Sequence, residues 1–377
     1  MEAKIASKEL SAALDPLGKV VQASSASPVY QCVLMEAKGR QLTFKGTDQS
    51  VFMETTARLK RPVDEPFTIL VSYSAIAHYA KLAGAVITLS PTKSELRMRT
   101  ATDKAVAKLR DPNDFMRWPD WSSLSKLNVD IDEFMVAVKG ALSCVAVNMI
   151  KPVLFNVSLK ARGGQIIIQA ADGKRLQRTA VKARHAQFDV MLSLSSASKM
   201  MQAIGRPDTV AVGKTSLGLK SDYCTVFALL SEGAQGYPDL KSFVSREKVL
   251  TVVMDRRGLY KALQRAIGFS SDATVSDVLF SFSDGKLVLK ASSKEIGAYT
   301  ALLSVAKQVG QKDYQVYLNG SDLSSFLQRI DHEKVMLTFA PVHSAANGQV
   351  RVINPDAPDD LYILYPVIKE GRKKAKA

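Results

Sequence analysis

Residues 132–145 read DEFMVAVKGALSCV, and in them Phe134, Val138, Ala141, Leu142 and Val145 fall at i, i+4, i+7, i+8 and i+11. That spacing sets the five apolar side chains on one face of a helix. The rhythm recurs at Leu259, Leu263, Ala266 and Ile267, and again at Leu10, Leu14, Leu17 and Val21. Ser7, Asp132 and Asp255 stand just ahead of the stripes, where a side-chain oxygen accepts bonds from the free amides of a first turn. Pro16 lies inside the first stripe and predicts a break or kink, because proline removes a helix bond.

The segments after the stripes repeat as well. Alternating runs at 41–44, 165–168 and 286–289 read as strands, each preceded by a glycine-bearing turn. Apolar strands at 68–71, 190–192 and 316–318 lead into second helices that open on serine, at 74–82, 195–204 and 321–330. The first two copies close on Trp118-Pro119-Asp120 and Tyr237-Pro238-Asp239. Identity between copies is low, so order and period carry the reading, and a period this long decides the fold. The expected class is α+β. Three tandem domains, each of two helices packed on antiparallel sheet, occupy residues 1–124, 125–246 and 247–368, with a basic tail at 369–377.

A chain of 377 residues agrees with two or three domains of roughly 100–150 residues each. No apolar run approaches the ~20 residues of a membrane span, and the first residues lack the apolar centre of a secretory signal, so a cytoplasmic protein is expected. Cys32, Cys144 and Cys224 are far apart among apolar neighbours, which predicts buried reduced thiols. The formal net charge of +15 favours a polyanion such as nucleic acid. Lys8, Lys19, Lys81, Lys139, Lys199, Arg206, Arg256, Arg257, Lys261, Arg265 and Arg329 lie on or beside the helices, off their apolar stripes. Arg372, Lys373, Lys374 and Lys376 form a separate basic run.

Catalytic motifs are weak. Val212-Gly213-Lys214-Thr215 looks like the end of a phosphate loop, but Asp208 stands where that loop needs glycine. His78, His185, His332 and His343 are isolated, with no second ligand at metal spacing. The residues therefore predict no enzyme, no metal and no cofactor.

Ala171-Asp172-Gly173-Lys174-Arg175-Leu176 is close to the Thr-Asp-Gly-His-Arg-Leu of bacterial DNA polymerase sliding clamps, the β subunits of the replicative polymerase. Tyr237-Pro238-Asp239 resembles that family's Phe-Pro-Asp, and 362–368 resembles its closing strand; Gly46-Thr47-Asp48 and Lys151-Pro152-Val153-Leu154 also fit. The resemblance spans nearly all of 1–368. It implies a head-to-tail homodimer forming a ring, with helices inside and sheets outside. It further implies duplex DNA in the hole, a clamp-loader ATPase, and a DNA polymerase and other partners held through short linear peptides bearing Gln, Leu and Phe. The implied peptide pocket is Leu154, Gly173, Lys174, Arg175, Leu176, Pro238, Phe243, Val244, Ile363, Leu364, Tyr365, Pro366, Val367 and Ile368. Ser24, Asn148 and Lys151 stand at implied DNA contacts, although the family's arginine, glutamine and aromatic neighbours are missing there. Ala171, Lys174, Tyr365 and Ile368 also depart from the pattern. With the overall basic charge, these departures fit a divergent or phage-type member. The rival reading is a basic repeat protein that binds DNA without encircling it.

Overall fold

The computed structural model describes residues 2–21, 27–81, 86–147, 151–270, 276–330, 332–341, 348–354 and 357–367. Ser24, Asn148, Ile368 and the tail 369–377 lie outside the described residues. The chain opens with β1 (Ala3–Ala6), α1 (Ser7–Leu14), β2 (Cys32–Lys38), β3 (Gln41–Thr47), β4 (Val51–Arg58), β5 (Phe67–Ser72), α2 (Tyr73–Ala80), β6 (Val86–Pro91), β7 (Glu95–Arg99) and β8 (Lys104–Arg110). The order recurs as β9 (Ser125–Lys126), α3 (Ile131–Leu142), β10 (Asn156–Arg162), β11 (Gln165–Ala171), β12 (Arg175–Lys182), β13 (Phe188–Ser193), α4 (Leu194–Ile204), β14 (Thr209–Val212), β15 (Ser216–Lys220) and β16 (Cys224–Leu229). It recurs again as β17 (Leu250–Asp255), α5 (Arg256–Ile267), β18 (Asp277–Ser283), β19 (Lys286–Ser293), β20 (Gly297–Ser304), β21 (Lys307–Gly310), β22 (Tyr314–Asn319), α6 (Gly320–Arg329), β23 (Lys334–Phe339), β24 (Val350–Asn354) and β25 (Ala357–Leu364). Strand, helix, four strands, helix, three strands is thus written three times, with β21 added in the last.

Two compact units emerge, one of residues 1–135, 183–186 and 190–232, the other of 136–182, 187–189 and 233–377. The first holds a twelve-stranded sheet in the order β1-β6-β7-β8-β5-β2-β3-β4-β16-β15-β14-β9. Its join is the antiparallel pair β4 and β16, where Phe52 faces Phe227 and Met53 faces Val226. The stripe on α1 buries Leu10 and Leu14. Pro16 ends that helix and starts a tighter turn, Pro16–Lys19, which buries Leu17. Proline fits at the first position of such a turn, where its missing N–H is not needed.

Most of the expected caps move. Ser7 is buried inside α1 rather than ahead of it. Asp130, not Asp132, caps α3, accepting from the Glu133 amide at 2.9 Å. The second helices begin at Tyr73, Leu194 and Gly320; Ser193 and Asn319 supply side-chain caps for the last two. Asp255 does cap α5, through the Gly258 amide. Helix ends are the least determinate part of a periodic pattern.

Lys199, expected to face DNA, instead pairs with the buried carboxylate of Asp48. Burial alone would raise the Asp48 pKa. The Lys199 ammonium, the Val51 amide and the Ser50 hydroxyl outweigh it and hold the carboxyl below its ordinary value. The fold therefore gains from ionised Asp48 above its unfolded pKa of 3.8 and loses that gain as pH falls through the lower folded value. Lys199→Met is expected to destabilise the protein by about 2–3 kcal/mol at pH 7, the low side of a broken buried pair because part of Lys199 meets solvent. In chemical denaturation the gap from the parent should narrow once pH drops below 3.8; a gap that stays constant with pH would exclude the pair as its source.

The second unit holds the sheet order β10-β11-β12-β25-β24-β23-β17-β21, with only Phe188 and Asp189 of β13, and a four-stranded sheet, β20-β19-β18-β22. In this unit β12 pairs with β25, so strands 175–182 and 357–364 share one sheet. The apolar stripe of α5 buries Leu259, Ala262, Leu263 and Ala266. All three cysteines are free and buried, and burial pushes the Cys144 thiol up to about 11 and Cys224 to about 12.

Candidate functional site

The antiparallel register of β12 and β25 organises one face of the second unit. Leu176 lies directly opposite Ile363, and Arg175 opposite Leu364. Side chains alternate across a sheet, so these two pairs point to opposite faces. On the Leu176 face, Leu176 and Ile363 form a buried apolar cluster with Ala171 and Leu240; Tyr237, Val244, Leu361 and Tyr365 pack against it half-buried. The turn Tyr237-Pro238-Asp239 sets the rim. Asp239 accepts from the Lys241 amide at 3.1 Å and starts the short helix Leu240–Phe243, as Asp120 starts Trp121–Ser123 in the first unit.

The loop before β12 is fixed from within. Asp172 Oδ1 accepts from the Lys174 and Arg175 amides, both at 2.9 Å. Gly173 has φ +80°, which glycine adopts without strain. The Tyr365 amide donates to the Lys174 carbonyl at 2.9 Å, tying the closing segment to this loop. Gln349 is buried and donates to the Phe243 carbonyl at 2.7 Å and to the Tyr365 hydroxyl at 2.9 Å. The Tyr365 ring is thereby held over the apolar cluster.

Of the implied pocket residues, Leu176, Val244, Ile363 and Tyr365 are brought together. Gly173 and Lys174 are exposed at the adjoining turn, while Pro366 and Val367 are half-buried beyond it. Phe243 contributes a carbonyl and is itself 52% exposed. Leu154 is buried in the short helix Pro152–Phe155 and is not part of the cluster. Two residues belong to the opposite face. Leu364 is fully buried there. Arg175 spends its guanidinium on Asp172, at 2.8 Å, and on Asp322 of α6. Burial works against that charge, but Asp322 and Asp172 together hold the Arg175 pKa above its ordinary value. On the same face Thr179 and Gln177 donate to Asp360, and Tyr362 stacks on Phe326 at 4.3 Å.

Leu240, Leu361 and Gln349 were not read from the sequence. Leu361 lies two residues before Ile363 on one strand, so period-two alternation could have found it. Gln349 carried no local signal.

The expected DNA-facing cations divide in two. Lys8, Lys19, Lys81, Lys139, Lys151, Lys261 and Arg265 are exposed. On α5, exposed Arg257, Lys261 and Arg265 recur every fourth residue, one basic stripe opposite the buried one. Three others carry their charge into the fold, and a fourth spends it on a surface ion pair. Lys199 pairs with Asp48. Arg256 donates to the carbonyls of His332 and Leu327, at 2.6 and 2.8 Å. Arg329 donates to Gln177 Oε1 at 3.2 Å and lies over the Phe326 ring. Arg206 is exposed but paired with Asp132 at 2.7 Å. The sequence reading missed these because carboxylates and carbonyls distant in the chain claim the charges.

Residues 1–107 match the family model for the N-terminal domain of the DNA polymerase III beta subunit. Curated relatives named beta sliding clamp, from Chlamydia muridarum and Chlamydia trachomatis, are each 21% identical over 374 residues. Those alignments take in 97% of this chain and 99% and 87% of theirs. The DNA polymerase III subunit beta of Pseudomonas aeruginosa superposes with a TM-score of 0.85 at 20% identity, covering 98% of this chain and all of that one. The Bacillus subtilis sliding clamp gives 0.87 at 15% identity, covering 98% and 99%. A Pseudomonas aeruginosa clamp solved with griselimycin bound gives 0.85 at 20%.

Proposed function

We infer that this chain is a divergent sliding clamp of the DNA polymerase III beta subunit family, a non-enzymatic processivity factor that tethers a DNA polymerase to its template. The observation that carries the reading is full-length likeness to the clamp fold in a chain whose first 107 residues match that family's model. The three element runs are taken as domains 1–124, 125–246 and 247–368, and two copies close head to tail around duplex DNA. Free strand edges support that closure. Among the described residues, β20 has a ladder partner only in β19, and Leu302 on it is 63% exposed. In β8, residues 105–108 pair only with β7, and Val106 is 59% exposed. Edge strands with apolar side chains are templates for pairing with another chain.

Within the ring, exposed Lys8, Lys19, Lys81, Lys139, Lys151, Arg257, Lys261 and Arg265 attract phosphates without reading bases. Topology then keeps the clamp on DNA, while long charged side chains let it slide. The cluster around Leu176 and Ile363 receives the apolar residues of partner peptides, since a few buried anchors carry most peptide affinity. A clamp-loader ATPase opens the ring in the cytoplasm.

The test is retention. After loading on nicked circular DNA, the protein should stay bound through a high-salt wash and leave when the circle is linearised. Salt release from circle and linear DNA alike would overturn encirclement and favour a non-encircling basic protein, because phosphate binding weakens steeply with salt.

A further inference from the structure

We propose that the groove beside the apolar cluster takes the acidic flank of the same partner peptide whose apolar residues fill the cluster. The proposal rests on the peptide-docking reading above. Alternation along β10, β11 and β12 puts Ser158, Lys160 and Arg162, Ile167 and Gln169, and Arg178 on the same sheet face as Ala171 and Leu176. With the turn around Tyr237 these residues enclose about 580 Å³. Tyr237 lines the groove and also packs on the apolar cluster, so one extended peptide can run from one to the other.

The charge of the groove selects the flank. Lys160, Arg162, Arg178 and Lys241 line it against two carboxylates, Asp189 and Asp239. Asp189 is already matched by Lys160 at 2.8 Å, and Asp239 is engaged as the cap of the short helix after it. Arg162 and Lys241 are exposed and positive at the groove wall. An extended segment with separate carboxylates can pair with them singly. A nucleic-acid backbone, with a phosphate at every residue, would also meet Asp189 and Asp239. The polar groove therefore complements the apolar cluster: the cluster supplies anchoring, and the groove supplies orientation and charge selection.

The probe is a fluorescein-labelled Gln-Leu-Ser-Leu-Phe peptide extended at either end by Asp-Glu-Asp-Glu or by Ser-Gly-Ser-Gly, read by anisotropy with the full-length protein. One acidic extension is expected to bind about five-fold tighter than its neutral twin at low salt, with the advantage shrinking as salt rises. Arg162→Glu with Lys241→Glu should remove that advantage and leave the neutral peptide's Kd unchanged. Equal affinity of the acidic and neutral forms, or an advantage that survives the double substitution, would overturn the groove while leaving the cluster intact. Failure of every peptide to bind would overturn the docking site and the groove with it. Displacement of the acidic flank by oligo-dT, with the same sensitivity to the double substitution, would assign the groove to nucleic acid instead.

Discussion

Arg175→Met is expected to cost the second unit about 3–5 kcal/mol, as breaking a buried pair from one side does. The guanidinium answers two carboxylates, Asp172 and Asp322, whose side chains are only 16% and 18% exposed. Removing it leaves the two carboxylates to repel each other where the loop before β12 meets α6. Hydrogen exchange should report the loss as faster exchange of the amides of β12, β25 and the first turn of α6. A second change, Asp322→Leu, should recover much of the loss, because it deletes the stranded charge. A penalty below about 1 kcal/mol would place the pair in the class of surface ion pairs and remove it as the tie between β12 and α6.

Val244→Asp is expected to weaken binding of a Gln-Leu-Ser-Leu-Phe peptide about 100-fold or more. Val244 is half-buried against Leu176, Leu240 and Ile363, so the change removes an apolar wall and sets a carboxylate where a ligand would exclude water. The residue comes just after a short surface helix, and the melting temperature should be unchanged. Deleting residues 364–368 is a poorer test, because Leu364 is core on the opposite face and its loss would damage the fold itself. Undiminished affinity in Val244→Asp would move the docking site elsewhere.

Much of the fold was legible because burial writes a period into the chain. The stripes at Leu10, Phe134 and Leu259 predicted three helices, and all three form. The strand readings at 41–44, 165–168 and 286–289 fall inside β3, β11 and β19. Caps were less legible: Asp130 and Asp132 carry the same chemistry, and only backbone geometry separates them. The site was half legible. Part of it was drawn from the continuous runs 173–176 and 363–368, but a strand sends neighbours to opposite faces, so Ile363 joins the cluster and Leu364 does not. Arg175 looked like a ligand for the same reason. Its guanidinium meets Asp172, three residues before it, and also Asp322, 147 positions away, which no local pattern announces.

The seam between β4 and β16 has a consequence for the order in which the protein can be made. Val51, Phe52 and Met53 are fully or almost fully buried, and their strand partners are Ala228, Phe227 and Val226. At ribosomal rates of roughly 5–20 residues per second, the strand bearing Val51–Arg58 waits on the order of ten seconds or more for its neighbour to be synthesised. During that interval a long apolar edge is available to any other nascent chain. Pairings so distant in sequence also close slowly once both strands exist. Shielding of that early edge during synthesis is therefore a separate requirement from the stability of the finished sheet.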